Sequence, residues 1–420
     1  MHREGSTQLT LSDGETFPPV RLVADDLVPT SMLLLLVYPY QIDPQVLTAG
    51  FRRGLKSFPH LTGKICESAT TVGLSIQPST AGVYLDAKES WEPLIQSSIE
   101  AMTPAELASQ FAPQACFNHR WHNVADPMPL FHASLTTSRD SQLSVLCLFA
   151  SHMAVDGTGL ILMTCHATAA IHDAKPPPVF HDRGLLDTVV SDLTATLPPG
   201  YIECDQQPQS LLGQWDLSES FSLGIFTVSV DSVSRRSGAG SLKEARLALA
   251  ATLCTTLRND WLGLSEVALW CDPRGTAGIP KTYTGNSGCY VHLPVGNGDD
   301  AELASRLRAM ATRQGFDEIA KTFHAIKAAE SHGHDVLWNG ADSSVLPLNL
   351  VPLSRIGMDW GQGQPVFGQM LTRNSHGLRV WTSPDGLRFL VEAYLPRPLP
   401  EKLIERCHDL GLILSHRIEG

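Results

Sequence analysis

The sequence predicts an α/β protein of two domains, and three observations carry that expectation. The chain has 420 residues, more than a single hydrophobic core usually organises. A run of β-formers over 143–150 ends in a His, an Asp four positions on and two glycines. A second apolar run of helix formers, 160–171, follows, so the reading is strand, tight turn, helix. Over 175–214 the composition shifts to prolines and polar residues, and strand and helix patterns then begin again. The division is an N-terminal domain over 1–174, a linker over 175–214 and a C-terminal domain over 215–420.

Taken in order, residues 8–24 alternate around Ser12-Asp-Gly-Glu and Pro18-Pro19, which suits short edge strands or loops. Residues 31–40 read as a buried strand. Asp43 then caps and Pro44 opens a helix whose Val46, Leu47, Phe51, Leu55 and Phe58 form one stripe. Residues 84–110 read as a second helical region, with Leu94, Ile95, Ile99, Met102 and Leu107 as core positions. His119, His122 and Asp126 lack a third strong ligand, so no metal site is read there. Residues 129–136 and the run from 143 form a hairpin. His166 and His172, six apart, do not share a helix face and read as ordinary helix residues. Within the linker a short helix near 185–193 is the exception. A strand over 221–230 leads to Ser241, which caps an apolar helix over 242–257. Ser237 to Lys243 lacks the spacing of a phosphate loop. A strand over 267–271, a long amphipathic helix over 300–330, a hairpin over 378–394 and a closing helix over 400–415 complete the chain.

Composition excludes several classes. The net charge is −12 with the acids dispersed, which argues against nucleic acid as a partner. Nine cysteines without a Cys-x-x-Cys pair suit free thiols in a reducing compartment. The N-terminal residues lack a signal-peptide apolar core, and 32–38 is far too short to span a bilayer. A soluble, cytoplasmic, monomeric protein is the expectation.

Chemistry concentrates at His152. An imidazole at the end of a buried strand is rigidly held yet can face a cleft, which suits a general base. Asp156 can orient that imidazole, pin the turn through a distant cation, or cap the following helix. Gly157 and Gly159 permit positive φ or close packing beneath the turn. Ser151 does not make a serine hydrolase, because it adjoins His152 in an extended segment and the two side chains point apart.

His152-Met-Ala-Val-Asp156-Gly157 resembles the His-x-x-x-Asp-Gly signature of the BAHD acyltransferases, whose wider class includes chloramphenicol acetyltransferase and peptide-synthetase condensation domains. The segment from Leu47 through Gly63 resembles that family's first helix and turn. Asp272-Pro-Arg274, then Pro280, then Tyr283-Thr-Gly285-Asn286 is similar to its Asp-x-Arg, Pro, Tyr-x-Gly-Asn pattern. Asp359-Trp360-Gly361-Gln362-Gly363-Gln364-Pro365 resembles Asp-Phe-Gly-Trp-Gly-x-Pro, with Trp for Phe and Gln for Trp; this altered form resembles the fungal natural-product branch. The motifs fall in family order along essentially the whole chain.

The resemblance implies two similar chloramphenicol acetyltransferase-like domains, each a mixed β-sheet with helices, and a channel between them, with about 353–390 crossing back onto the first. It implies that Arg274 pairs with Asp156 across the domains. Asp359, Trp360, Gly361 and Gly363, with Tyr283 and Asn286, would support the fold or the donor site. The implied activity is acyl-CoA-dependent O-acylation (N-acylation being the variant) of a small natural-product acceptor, with His152 as base and Trp360 or Thr284 as candidate oxyanion donors. No metal or other cofactor is implied; acyl-CoA is the co-substrate. The rival readings are a cyclase or epimerase on the same fold, a carrier-protein-dependent acyltransferase, and a silent binding protein.

Overall fold

A computed structural model describes residues 3–9, 16–22, 31–67, 74–79, 83–112, 129–188, 197, 201–204, 222–260, 263–296, 299–310, 312–331, 335–338, 344–352, 358–371, 377–395 and 401–418. His119, His122 and Asp126 lie outside the described residues.

The first half contributes strands β1 (Arg3–Gln8) and β2 (Ser31–Tyr38), helix α1 (Pro44–Ser57), strand β3 (Tyr84–Ser90), helices α2 (Gln96–Glu100) and α3 (Pro104–Phe111), strands β4 (Phe131–Ser138) and β5 (Ser144–Ser151), and helix α4 (Gly157–Thr168). Asp43 caps α1 as expected, its carboxylate accepting from the Gln45 amide at 2.8 Å. Strand β5 runs antiparallel between β4 and β2, Ser144 opposite Tyr38 and Ser151 opposite Ser31. All eight of its residues are buried, which is why the sequence shows a continuous apolar run. The helical reading of 84–110 fails at its start. Residues 84–90 pair parallel with β4, and that ladder overrides the helix propensity of Ala87, Lys88 and Glu89. Helix begins in earnest only at the capping box of Thr103 and Glu106.

The second half supplies β6 (Ser222–Ser229), α5 (Val230–Ser237), α6 (Leu242–Asp260), β7 (Glu266–Cys271), β8 (Cys289–Pro294), α7 (Asp300–Ala309), α8 (Arg313–Ser331), β9 (Val345–Pro352), β10 (Phe367–Met370), β11 (Gly377–Thr382), β12 (Arg388–Leu395), α9 (Glu401–Asp409) and β13 (Ile413–Ile418). Ser241 accepts from the Glu244 amide and caps α6 as expected. The single helix expected over 300–330 is two, because the chain turns sharply and Gly315 packs against the Met310 backbone. The closing helix stops at Asp409: Gly411 takes a positive φ of 77°, and the chain leaves as a strand paired to β6.

Two mixed sheets result, one ordered β1-β3-β4-β5-β2-β10 and the other β8-β7-β9-β11-β12-β6-β13. Strand β10 comes from the second half but pairs with β2, Phe367 opposite Val37 and Met370 opposite Leu34. The segment that docks on the first half is therefore shorter than 353–390, since β11 and β12 return to the middle of the second sheet. Alternation along those strands buries both faces of that sheet. Phe389, Val391 and Ala393 pack into the second core, whereas Leu390 and Trp381 pack into the first.

Part of the stretch 175–214 packs against the protein, while Lys175, Pro178, Asp182, Gly184 and Thr188 are exposed. Phe180 bridges to Tyr283, and Arg183 and Leu186 are buried. Composition misses these contacts because the packing partners are absent from the local sequence.

A candidate active site where distant segments meet

Strand β5 ends on a tight turn: the amides of Ala154 and Val155 both donate to the Ser151 carbonyl, at 3.0 and 3.2 Å. Met153, Ala154 and Val155 are buried and anchor the turn, while His152 stays partly exposed. An imidazole held this way can meet a bound molecule without losing its position.

Asp156 fills two of the roles its position allows. Its Oδ1 accepts from the Gly159 amide at 2.9 Å and caps α4; its Oδ2 pairs with Arg274 Nη2 at 2.7 Å. The Arg274 side chain is only 4% exposed. Its Nε donates to the Tyr283 carbonyl at 2.8 Å, Nη1 to Asp272 at 3.0 Å, and Nη2 also to the Gly285 carbonyl. Burial alone would lower the guanidinium's pKa, but the carboxylates of Asp156 and Asp272 more than offset that and hold it above its ordinary value. Asp272 ties the loop down again by accepting from Thr158 Oγ1 at 3.1 Å, at the start of α4. From the same loop, Asn286 Nδ2 donates to the His152 carbonyl at 2.6 Å. Tyr283 and Asn286 thus stand at the His152 turn itself.

The two glycines of the motif differ. A Cβ on Gly159 would lie 2.3 Å from Val155 Cγ2 and 2.5 Å from the Thr284 carbonyl, so this glycine is where the second half presses onto α4. Gly157 has open space and no positive φ; nothing in the structure demands a glycine there. Gly159→Ala should therefore destabilise by about 1–3 kcal/mol, whereas Gly157→Ala should be neutral or slightly stabilising. Thermal melts of the two variants beside wild type check this contrast.

The loop of the second signature is built locally and docked elsewhere. Asp359 Oδ1 accepts from the amides of Gly361 and Gly363, each at 2.8 Å, and both glycines adopt left-handed φ of 103° and 117°. The Trp360 ring packs edge-on against Phe51 at 5.2 Å and over Gly50 of α1, beside the Ala167 carbonyl near the end of α4. Ala167 is ten residues beyond Gly157, roughly 15 Å along the helix. Trp360 is therefore a core residue remote from His152 and cannot be the oxyanion donor. Thr284 fails that role too, since its fully buried hydroxyl is bonded to His181 Nδ1 at 2.8 Å.

Several residues at the turn carry no signal in the motifs. Arg183 Nη2 donates to the Ala154 carbonyl at 2.6 Å, and His181 Nε2 to the Ser57 carbonyl at 2.6 Å. Phe58 is ringed by His60, His166 and His181, at 6.0, 5.8 and 5.2 Å between ring centroids. The cue in the sequence was slight: Val179-Phe180 and Leu185-Leu186 are apolar pairs bracketing the charged segment.

Burial holds the His60, His166 and His181 imidazoles below their ordinary pKa, with the Arg183 charge adding to this at His60 and His181. The sign follows from linkage. Above pH 6.5 both folded and unfolded forms are neutral; below it the unfolded chain takes up protons first, so stability falls as pH falls. Each such histidine costs at most about 1.4 kcal/mol per pH unit in that window. Urea midpoints from pH 7.5 to 5.5 should fall, and less steeply in His60→Asn than in wild type; equal slopes would remove His60 from the account.

A cavity of about 270 Å³ lies between the halves, lined among others by Met102 just beyond α2, Phe367 and Gln369 of β10, and Leu390 of β12. Gln369 faces Leu35, which faces Cys147, five positions before His152. The cavity is thus roughly 17 Å from His152 along the strand direction.

No family model and no curated protein sequence matches this chain. Solved structures do. F. sporotrichioides TRI101 complexed with coenzyme A and T-2 superposes with a TM-score of 0.68 at 20% identity, over 95% of this chain and 100% of that one. Vinorine synthase gives 0.66 at 14% identity, over 99% of each chain. The starter condensation domain of rhizomide synthetase RzmA, a mutant in complex with C8-CoA and Leu-SNAC, gives 0.53 at 13% identity, over 92% and 89%. The chain shares the fold of these proteins: two α/β domains, each a mixed sheet with helices.

Proposed function

We propose that this chain transfers an acyl group from an acyl-CoA thioester to a hydroxyl of a small natural-product acceptor, with His152 as general base. The observation that carries the reading is the buried turn that leaves His152 partly exposed and is held by Asn286 and Arg274 from the second half. It is supported by the fold shared with TRI101, whose solved complexes contain coenzyme A with T-2 or deoxynivalenol. His152 removes the acceptor's proton as its oxygen attacks the thioester carbonyl. The C–O bond forms, the C–S bond breaks, and the proton passes from the imidazole to the departing thiolate. Holding donor and acceptor together supplies much of the acceleration without an acyl-enzyme. Asp156 and Arg274 hold the turn, and the loop over 359–365 supports the first half.

The reaction requires acyl-CoA as co-substrate and no resident cofactor. Among the described residues no helix is long and apolar enough to cross a membrane, and seven cysteines are free thiols. The latter supports a reducing, cytoplasmic setting, and we take the working unit to be a monomer because each half of the site comes from one chain. The test is free-thiol release from a panel of acyl-CoA donors with candidate alcohols. Release that depends on both substrates upholds the reading. Product formation without thioester loss would indicate a cyclase or epimerase, and turnover only with a carrier-bound thioester would exclude free CoA as donor.

A further inference from the structure

The turn from His152 to Asp156 is held at every second residue. The His152 carbonyl accepts from Asn286, the Ala154 carbonyl from Arg183, and the Asp156 carboxylate from Arg274. Arg274 and Asn286 belong to the loop that supplies the Asp-x-Arg and Asn motifs. Arg183 belongs to neither motif and comes from the stretch that composition marks as a linker. It is 3% exposed, and its guanidinium lies 5.6 Å from the centre of the Tyr283 ring.

The surroundings hold Arg183 as a fixed post. Upstream, Phe180 is bonded through its backbone to Thr282 and Thr284, each at 3.0 Å, and His181 is bonded to Ser57. Across from it Gly285 leaves the necessary room: a Cβ there would lie 1.4 Å from Arg183 Nη1. The buried His60 imidazole also bonds the Ala154 backbone. The guanidinium's bond is the charge-assisted one, and such bonds are roughly twice as strong as neutral ones.

We propose that Arg183 is a positioning residue for the His152 imidazole, acting through the Ala154 carbonyl and never touching substrate. The inference rests on the reading of His152 as the base. Asn286 and Arg274 hold the two ends of the turn; Arg183 holds its middle and stops it pivoting, which sets where the imidazole points. A displacement near 1 Å at a reacting group costs about 10²-fold in rate.

In Arg183→Met, kcat should fall about 10²-fold while the KM for acyl-CoA stays within about twofold, because the donor does not bind through this carbonyl. Arg183→Lys should recover much of that loss, its ammonium supplying one charged donor to the same oxygen. Gly285→Ala, which displaces the guanidinium while leaving Arg183 in place, should reproduce the Met defect. In a His152→Ala background Arg183→Met should cost nothing further, the signature of two residues acting as one unit. Equal losses in both backgrounds, or an unchanged kcat in folded Arg183→Met, would overturn the proposal. Should Arg183→Met fail to fold, the Lys and Gly285→Ala variants carry the test. Hydrogen exchange of the 152–156 amides separates this inference from the reading of function, since it needs no substrate. Faster exchange confined to that turn upholds the clamp even if no acyl-CoA is turned over, and unchanged exchange removes it.

Discussion

His152→Ala should lose about 10²–10⁴-fold in kcat, the usual contribution of a positioned general base, while remaining folded and keeping its affinity for the acyl donor. The fold is expected to survive because His152 is the partly exposed member of its turn. Met153, Ala154 and Val155 supply the buried anchors, and the His152 group bonded to Asn286 is the backbone carbonyl, which alanine retains. His152→Gln is the useful companion: it restores bulk and a hydrogen-bonding tip but not a base, so it should be as inactive as the alanine. Thiol release from acyl-CoA with an accepted alcohol, set beside circular dichroism and a donor-binding titration, reads all three quantities. A folded His152→Ala that transfers acyl groups at nearly the wild-type rate would end the proposal that this imidazole is the base.

Asp156→Ala should be the most damaging single change to the fold. One carboxylate oxygen caps α4 and the other neutralises a guanidinium whose side chain is 4% exposed. Loss of the cap costs about 1 kcal/mol. Leaving Arg274 buried beside a missing partner costs about 3–5 kcal/mol. Asp272 reduces the second figure, since it keeps its bond to Arg274 at 3.0 Å, so the lower end is expected for the pair. Asp156→Asn separates the two terms: its amide oxygen can still accept from Gly159, so it should lose the charge but not the cap. Denaturant titrations of wild type, Asp156→Ala, Asp156→Asn and Arg274→Met give the comparison. If Asp156→Ala unfolds at the wild-type midpoint, its role is not structural, and the residue has to be reconsidered as a participant in the chemistry.

Much of the site was legible because its chemistry depends on short local patterns. The strand–His–turn–Asp–helix unit is contiguous: a buried strand must be apolar throughout, a turn must stop it, and a helix must be capped. Each requirement leaves its mark within a few residues of His152. The partner of Asp156 was legible only through the resemblance of Asp272-Pro-Arg274, since no local pattern says which cation reaches which carboxylate across 118 positions. Where a segment's structure is decided by its neighbours, local reading failed. Residues 84–90 look helical and form a strand because β4 offers them a ladder. The 176–188 stretch looks solvated, yet Phe180 and Arg183 within it pack because Tyr283, Gly285 and Ala154 meet them.

What the sequence determined by itself, then, is the alternation of strands and helices, the caps at Asp43 and Ser241, the buried core strands, and the position of one imidazole at the end of one of them. Those features are set by hydrophobic period and by hydrogen bonds spanning two to four residues, which are local in the chain. Only the tertiary structure decided that Trp360 belongs to the first core, that Gly159 and not Gly157 is the point of contact, that β10 alone of the segment crossing back joins the sheet of the other half, and that Arg183 reaches the turn. These follow from close packing between segments more than 20 residues apart, where a fit of a few tenths of an ångström decides the partner and leaves no trace in either segment alone.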